Sequence, residues 1–335
     1  MIVSLRRLPL SLACLAALLG VTSPAAFAQA NYPSRPIRFI VPLPPGGAID
    51  VFVRAVGREL EARTGQTVLV ENKAGANTII AANACKSAAP DGYTFCLLTR
   101  TTVSVNPEIY RRLSYDPPKD FVPVTNGFFG LQIVILNKEV PVRTLAELVE
   151  YSKKNPDKLN FASMGLGGDT HLMMEWLKHA TGAKIVHVPF KGFPEAMTAF
   201  KGNEVQLIAL LVGNPDLARQ VRDGEVKGLM LLGSRRSSIV PDVPTLQETG
   251  LSADDATFKP WFGFFAPKDT PAAYVEKISD GINAIMAKPE FRDRYLTANA
   301  FVAAGSKPDA FAKFLVADRK LAAELVAISG VKLDE

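Results

Sequence analysis

The chain has 335 residues, of which 48% are apolar and 21% are charged, and 38 basic residues against 33 acidic ones give a formal net charge of +5. This balance excludes an intrinsically disordered chain, and three cysteines are too few for a disulfide-stabilised scaffold. At about 150 residues per domain, the length favours two domains. The basic excess would indicate a nucleic-acid or membrane-surface partner only if the charges were clustered.

The N-terminal residues 1–28 have the pattern of a cleaved secretory signal. Arg6 and Arg7 precede an uncharged apolar run, and the small residues of a cleavage site follow at 26–28. At about 14 residues the run is shorter than the roughly 20 that span a bilayer, so we expect cleavage after Ala28 or Ala30 and a periplasmic protein. Removal leaves 36 basic and 33 acidic residues without a basic cluster, which argues against nucleic acid as a partner.

Short β-branched runs alternate with amphipathic stretches along the mature chain, which predicts an α/β protein. The predicted strands are 37–41, 67–71, 94–99, 131–137, 159–163, 185–188, 205–211, 228–232 and 262–266. Cap residues and helical spacing predict helices that begin near Ile49, after Thr144 and at the N-cap Asp169, and three C-terminal helices over 271–287, 289–296 and 308–328. The extended runs 131–137 and 261–266 are suited to connect two domains.

Three glycine-containing loops, at 42–50, 71–78 and 163–171, follow predicted strands and precede predicted helices. In an open α/β sheet, ligands bind at the carboxyl ends of strands, where helix N-termini present unpaired N–H groups. The loops lack both the lysine of a P-loop and a GxGxxG pattern, which argues against a nucleotide. Each loop can be a tight strand-to-helix turn, or the three together can line a site that binds a carboxylate through backbone donors. No cofactor is predicted.

Ser163 and the three histidines raise the alternative of a secreted α/β hydrolase. His171, His179 and His187 lie within one 17-residue window, but Ser163 is not part of a GxSxG nucleophile elbow. Positions eight apart on a helix are separated by about 12 Å along its axis, so His171 and His179 cannot share one metal ion. The sequence therefore predicts neither catalytic residues nor a metal site.

Cys85 and Cys96 are the two cysteines that remain after removal of the signal. In an oxidising compartment they can form a disulfide, if their Cα atoms lie within about 7 Å of each other. Two buried thiols that pack as small apolar side chains are the alternative. The sequence leaves both interpretations open.

Six motifs, spread over nearly all of the mature chain, make it resemble the periplasmic solute-binding proteins of tripartite tricarboxylate transporters, the Bug or TctC-like family. In chain order they are YPSRPIRFIVPLPPGGAID, VENKAGA, PDGYT, NPEIYRRLSYDPPKDFVPV, HVPFKG and PDVPTLQETG. The resemblance implies a type II periplasmic binding protein fold, with two lobes that are joined by two crossing strands and enclose a ligand cleft. The expected division is lobe 1 at 31–131 plus 263–335, and lobe 2 at 132–262.

The same resemblance implies a non-enzymatic, monomeric protein that captures a small carboxylate. It implies delivery to the membrane permease subunits of the transporter, with presentation to a sensor kinase as the alternative. The implied ligand-binding residues are Gly46, Gly47, Ala48, Asp50, Asn77, Thr102, Ser163, Gly168, Asp169, Thr170, Lys191 and Gly192.

The chain departs from the family pattern in the loops of the expected second lobe. Gly168 replaces the usual Ser or Thr and Asp169 follows it, so this acid either caps a helix or accepts a hydrogen bond from the ligand. Phe190 replaces the tyrosine of the usual YKG motif, and residues 210–214 read LLVGN. These changes predict an aromatic or otherwise apolar-bodied mono- or dicarboxylate as the ligand.

Overall fold

The computed structural model describes residues 32–213, 216–253 and 257–333, so the predicted signal sequence lies outside the described residues. The strands in these ranges are Ile37–Val41 (β1), Val68–Asn72 (β2), Thr94–Thr99 (β3), Phe121–Phe129 (β4), Gln132–Asn137 (β5), Asn160–Ser163 (β6), Val186–Pro189 (β7), Leu207–Leu211 (β8), Val226–Leu232 (β9), Trp261–Pro267 (β10) and Val302–Ala303 (β11).

The α-helices of the same ranges surround these strands. They are Ala48–Thr64 (α1), Ile79–Lys86 (α2), Asn106–Ile109 (α3), Pro117–Asp120 (α4), Leu145–Lys154 (α5), Asp169–Thr181 (α6), Phe193–Lys201 (α7), Leu217–Arg222 (α8), Ala272–Met286 (α9), Pro289–Tyr295 (α10) and Pro308–Ser329 (α11). A π-helical turn, Thr101–Val105, directly follows β3. None of the helices in the described ranges is long and apolar enough to cross a membrane.

The strands form two sheets, which define two lobes. The first lobe contains a six-stranded sheet in the order β11-β4-β10-β3-β1-β2, and the second contains a five-stranded sheet in the order β7-β6-β8-β5-β9. Strands β1, β2 and β3 are mutually parallel, as are β6, β7 and β8. Because parallel strands end at the same edge of a sheet, each lobe gathers the loops that follow three of its strands.

The predicted elements are confirmed where their local signals are strong. All nine predicted strands are present, with ends that differ by at most two residues from the prediction, and the three C-terminal helices form as expected. Strand β4 was not predicted, because Pro123 removes a backbone donor that a strand interior normally needs. The structure accommodates Pro123 at an irregularity in the β4–β10 register, between the partners of Phe264 and Phe265.

The chain crosses between the lobes at the end of β4 and again before β10. The two crossings are joined by a hydrogen bond of 2.8 Å from the Gly130 N–H to the Pro260 carbonyl. Helix α11 contributes to both lobes, since its N-terminal Phe311 packs with first-lobe residues and its later Leu325 packs with Leu177 of α6. The lobes therefore share an apolar connection beside the crossings.

Cys85 in α2 and Cys96 in β3 are joined by a disulfide, with a Cα–Cα distance of 6.0 Å. Both side chains are fully buried in the apolar cluster that also contains Ile40 and Phe265. The bond closes a short loop between neighbouring elements and attaches α2 to the centre of the first sheet. It thereby fixes the helix that follows the second of the three first-lobe loops.

We expect the double substitution Cys85→Ala and Cys96→Ala to lower the free energy of unfolding by about 3 kcal/mol, because the bond restricts the unfolded chain. Urea unfolding of the oxidised wild type and the variant measures the difference. Dithiothreitol should lower the stability of the wild type and leave that of the variant unchanged. Equal sensitivity of both proteins to the reductant would contradict this prediction.

Candidate functional site

Three helices that start at the gathered loops share an unusual beginning. Helices α1, α6 and α7 have glycine at the N-cap, namely Gly47, Gly168 and Gly192, and none receives a side-chain capping hydrogen bond. The first N–H groups of a helix have no acceptor within the helix, and they carry the positive end of its dipole. The three helix starts therefore leave backbone donors available to an anion.

Helix α5 shows that this chain can cap a helix fully elsewhere. Thr144 accepts a hydrogen bond from the Glu147 N–H at 3.2 Å, and the Glu147 carboxylate accepts one from the Thr144 N–H at 3.3 Å, so the two residues form a capping box at the helix start predicted after Thr144. This helix follows β5, which runs antiparallel to β8, and so it begins at the opposite edge of the sheet. Among the described α-helices, the glycine N-caps thus occur only at the edges that carry the loops.

In the first lobe, the Asp50 carboxylate stabilises the glycine turn that precedes α1. Its Oδ2 accepts hydrogen bonds from the Gly46 N–H at 2.9 Å and from Arg54 Nε at 3.0 Å, and its Oδ1 accepts one from Asn72 Nδ2 at 2.9 Å. Burial alone would raise the pKa of this carboxyl group, but these hydrogen bonds lower it. Asp50 is buried and ionised, and the structure places it under the loop as a support.

The Gly46–Gly47 backbone is open on its other side. Gly46 has a φ of +89°, which favours glycine, and a Cβ atom at either position would meet nothing within 4 Å. Ala48 begins α1 directly after them. A ligand can therefore approach the N–H groups at the start of α1 without meeting a side chain, although the Gly46 N–H itself is bonded to Asp50.

The loop after β2 contains three consecutive residues in the left-handed region. Ala76, Asn77 and Thr78 have φ values of +45°, +50° and +70°. This conformation costs roughly 1–2 kcal/mol per residue for side chains that are not glycine. Such strain persists where surrounding contacts determine the backbone, and it is concentrated at functional sites.

Those contacts come from the π-helical turn after β3 and from α3. Asn106 donates from Nδ2 to the Asn77 carbonyl at 2.9 Å, and Asn77 donates from Nδ2 to Asn106 Oδ1 at 3.1 Å. The Thr78 and Thr102 hydroxyls are 2.7 Å apart, and Tyr115 donates to the Thr102 carbonyl at 2.8 Å. Thr102 is completely buried, so the structure places it beneath the strained loop rather than on the open surface.

In the second lobe, two stacked histidines hold the loop after β6. The rings of His171 and His187 lie 3.8 Å apart, and His171 Nδ1 accepts a hydrogen bond of 2.9 Å from the Gly167 N–H. The Ser163 hydroxyl donates to the Gly165 carbonyl at 2.9 Å and lies 2.6 Å from His187 Nε2. A hydroxyl has one proton, so His187 must be the donor in the second bond. His187 therefore does not act as a base toward Ser163.

Both histidines are neutral near physiological pH. Burial, reinforced by Lys178, lowers the pKa of His171 to about 4. Burial, reinforced by His171 and Lys178 and opposed by Glu175, lowers the pKa of His187 to about 4. Protonation would place two like charges in contact and would remove the acceptor that holds Gly167.

The free energy of unfolding should therefore fall as the pH drops from about 6.5 to about 4, because the unfolded chain binds protons at these histidines before the folded chain does. Urea unfolding at several pH values measures this dependence. His171→Gln should flatten it, whereas His179→Gln, at an exposed position on the same helix, should leave it unchanged. A profile that His171→Gln does not alter would contradict the assignment.

Asp169 does not cap α6, so the prediction of an Asp169 N-cap was wrong. Gly168 is the N-cap, and Asp169 is the first residue of the helix and makes no capping bond. Its Oδ2 instead accepts a hydrogen bond of 3.2 Å from the Thr101 hydroxyl of the first lobe. Thr170, the next residue, is buried in the first turn of the helix.

The loop after β7 contributes Lys191 and Gly192. The Lys191 N–H donates to Glu195 Oε2 at 3.3 Å, and the Lys191 side chain is exposed and forms no hydrogen bond or ion pair with another described residue. Phe190 and Leu210 pack in the apolar cluster of the second lobe. Their apolar character is thus explained by packing and by itself indicates nothing about the ligand.

The two lobes meet at some of the predicted site residues. Thr101 contacts Asp169, and a Cβ at Gly168 would lie 4.0 Å from Asn77 Oδ1. The predicted residues Gly46, Gly47, Ala48, Lys191 and Gly192 lie at the loop edges of their sheets. Sequence reasoning missed three polar residues near these loop edges, namely Asn72, Arg100 and Asn106. Asn72 is the last residue of β2, Arg100 directly follows β3, and Asn106 directly follows the π-helical turn. A polar residue at such a position is a usable signal.

Comparison with known proteins relates most of the chain to one family. The family model for the tripartite tricarboxylate transporter family receptor matches residues 52–329. The protein BugT of Bordetella pertussis is 33% identical over 291 residues, which cover 86% of this chain and 85% of that protein.

Solved structures of binding proteins have the same fold. R. palustris Rpa4515 with adipate has a TM-score of 0.82 and 25% identity, and the match covers 90% of this chain and 99% of that one. MatC from Rhodopseudomonas palustris with bound malate has a TM-score of 0.76 and 27% identity, with 88% and 100% covered. These similarities confirm the expected two-lobed periplasmic binding protein fold. The matched family consists of transporter receptors, and structural neighbours such as the periplasmic binding protein BugD are solute-binding proteins rather than enzymes.

Proposed function

The chain belongs to the tripartite tricarboxylate transporter receptor family, and we propose that this solute-binding protein captures a small organic carboxylate between its lobes and delivers it to the membrane permease subunits of such a transporter. The observation that carries the proposal is the set of three uncapped glycine helix starts at the loop edges. A carboxylate accepts several hydrogen bonds and is stabilised by the positive ends of helix dipoles.

The charges near these helix starts support recognition by backbone donors. Arg54 donates hydrogen bonds to Asp50 and Asn72, so its positive charge is balanced by the Asp50 carboxylate rather than by a ligand. Lys191 is the described cation in the predicted ligand set, and it suits a second, distal carboxylate. The proposed site thus holds one carboxylate on Gly47 and Gly168 and has a single flexible cation for another.

An apolar body between the carboxylates fits the exposed side chains of the same loops. Leu166, between Gly165 and Gly167, is 44% exposed, and Val51 in the first turn of α1 is 41% exposed. Burial of such surface by a ligand contributes about 25 cal/mol per Å². The structural neighbours that were solved with adipate and malate hold aliphatic dicarboxylates, so a dicarboxylate of this size is the first candidate.

A panel of carboxylates tests this assignment by thermal shift and isothermal titration calorimetry. We expect adipate and other apolar-bodied mono- or dicarboxylates, aliphatic or aromatic, to raise the unfolding temperature more than the matching diamides, which lack the anionic ends. Citrate, which is compact and highly charged, should stabilise less. Stabilisation by citrate alone would contradict the apolar body, and stabilisation by none of the acids would contradict the proposed function.

Gly47→Val should abolish binding of the acid that gives the largest shift, because its side chain would occupy the open space beside the α1 N-terminus. The fold should be retained, since Gly47 has a φ of −74° that valine also adopts. Gly202→Val is the matched control, because Gly202 has a φ of −76° and lies at the C-terminal end of α7. Unchanged affinity of Gly47→Val in calorimetry would place the ligand elsewhere.

A further inference from the structure

A polar contact connects the two lobes at the loop edges. Thr101, at the start of the π-helical turn of the first lobe, donates to Asp169 Oδ2 of the second lobe at 3.2 Å. The second oxygen of that carboxyl group, Oδ1, is buried and has no hydrogen-bond partner among the described residues. A buried, unpartnered carboxyl oxygen is costly, and its presence requires an explanation.

The recess that receives Asp169 is lined by a buried ion pair. Arg100, which is 2% exposed, donates from Nε to Asp318 Oδ1 at 2.9 Å and from Nη1 to the Thr257 carbonyl at 2.7 Å. Asp318 Oδ2 accepts a hydrogen bond of 2.8 Å from the Trp261 indole N–H. Arg100 Nη2 is buried and, like Asp169 Oδ1, lacks a partner among the described residues.

We propose that Asp169 is a positioning residue for lobe closure, whose carboxyl group enters the recess beside Arg100 and Thr101 when the cleft closes and takes up a proton there. The proposal rests on the proposed function, because it concerns the closure that encloses the carboxylate ligand. The contact joins residues of different lobes, and a hydrogen bond does not survive a separation of even 1 Å beyond its length. Asp169 is therefore desolvated in the closed form and solvated in the open one.

The charges that line the recess explain why the Asp169 carboxyl group takes up a proton there. Arg100 is already matched by Asp318, so an ionised Asp169 would add a second carboxylate to one guanidinium in a dry environment. Burial raises the pKa of Asp169 and Asp318 raises it further, against the opposing effects of Arg100 and of the Thr101 hydrogen bond. His171, on the same helix, has a pKa of about 4 and turns its ring toward Gly167, so it is neutral in the relevant pH range.

Closure should thus become more favourable as the pH falls, because the closed form binds a proton that the open form releases. Asp169→Asn removes the proton requirement and retains an oxygen for Thr101. We expect the ratio of the adipate Kd of the wild type to that of Asp169→Asn to fall between pH 8 and pH 5, by about tenfold for each pH unit below the pKa that Asp169 has in the closed form. The titration of adipate itself affects both proteins equally and cancels in the ratio.

Three further substitutions make the result specific. Glu150→Gln removes an acidic group whose side chain is 74% exposed on α5, and it should show the pH dependence of the wild type. Thr101→Val removes the donor to Asp169 and should weaken adipate binding a few-fold, and Thr101→Ser should restore it. A ratio that does not change with pH would overturn the proposal, as would wild-type affinity of Thr101→Val.

Small-angle X-ray scattering of the ligand-free protein separates this proposal from the proposed function. The wild type should have a smaller radius of gyration at pH 5 than at pH 8, whereas Asp169→Asn should have the same value at both. A wild-type radius that does not change with pH would overturn the role of Asp169. Failure of every carboxylate in the panel to bind would overturn the proposed function and leave the scattering result to decide the closure contact.

Discussion

The structure of the cleft depends on unpaired N–H groups at three helix starts that have glycine in place of a capping side chain. A Ser, Thr or Asp cap at these positions would satisfy the donors within the protein, and it would block the approach of a ligand to the backbone. Replacing such a cap by glycine costs only a few tenths of a kcal/mol of helix stability. The chain thereby keeps three positive helix ends available at little cost to the fold.

A backbone site of this kind needs rigid support, since the donors are parts of flexible glycine turns. The loops before α1, α2 and α6 are each held by a buried polar side chain. Asp50 fixes the turn before α1, Asn106 fixes the strained segment after β2, and His171 fixes Gly167 before α6. Side chains that bind the backbone of a loop in the absence of ligand reduce the entropy that binding must overcome. The supporting residues thus prepare the donors for an anion without contacting it.

The sequence predicts the glycine loops of the candidate site much better than the buried side chains that support them. Glycine pairs between a strand and a helix have a local signature, and the loops that contain Gly47 and Gly168 are predicted from it. The partner of Arg100 is Asp318, 218 residues further along the chain, and no local pattern relates them. Asp169 was misinterpreted for a related reason: its composition suits an N-cap, but the extended backbone of Gly168 gives that position to the glycine. Tertiary contacts with Thr101 then determine where the carboxyl group points.

The strand order also determines which loops move most when the lobes rotate. The crossings adjoin β10 in the first sheet and β5 in the second, while β2 and β7 are the outer strands, each three positions away. At about 4.8 Å per strand, the loops after β2 and β7 lie roughly 14 Å from the crossings, whereas the loop after β3 lies next to them. A rotation about the crossings therefore displaces Asn77 and Lys191 far more than Thr101. The apolar packing of α11 against α6 adds a second restraint beside the crossings. In the proposed closure, the largest motion would thus occur at the distal end of the ligand. The contact between Thr101 and Asp169 lies close to the crossings, where a small rotation is enough to make or break it.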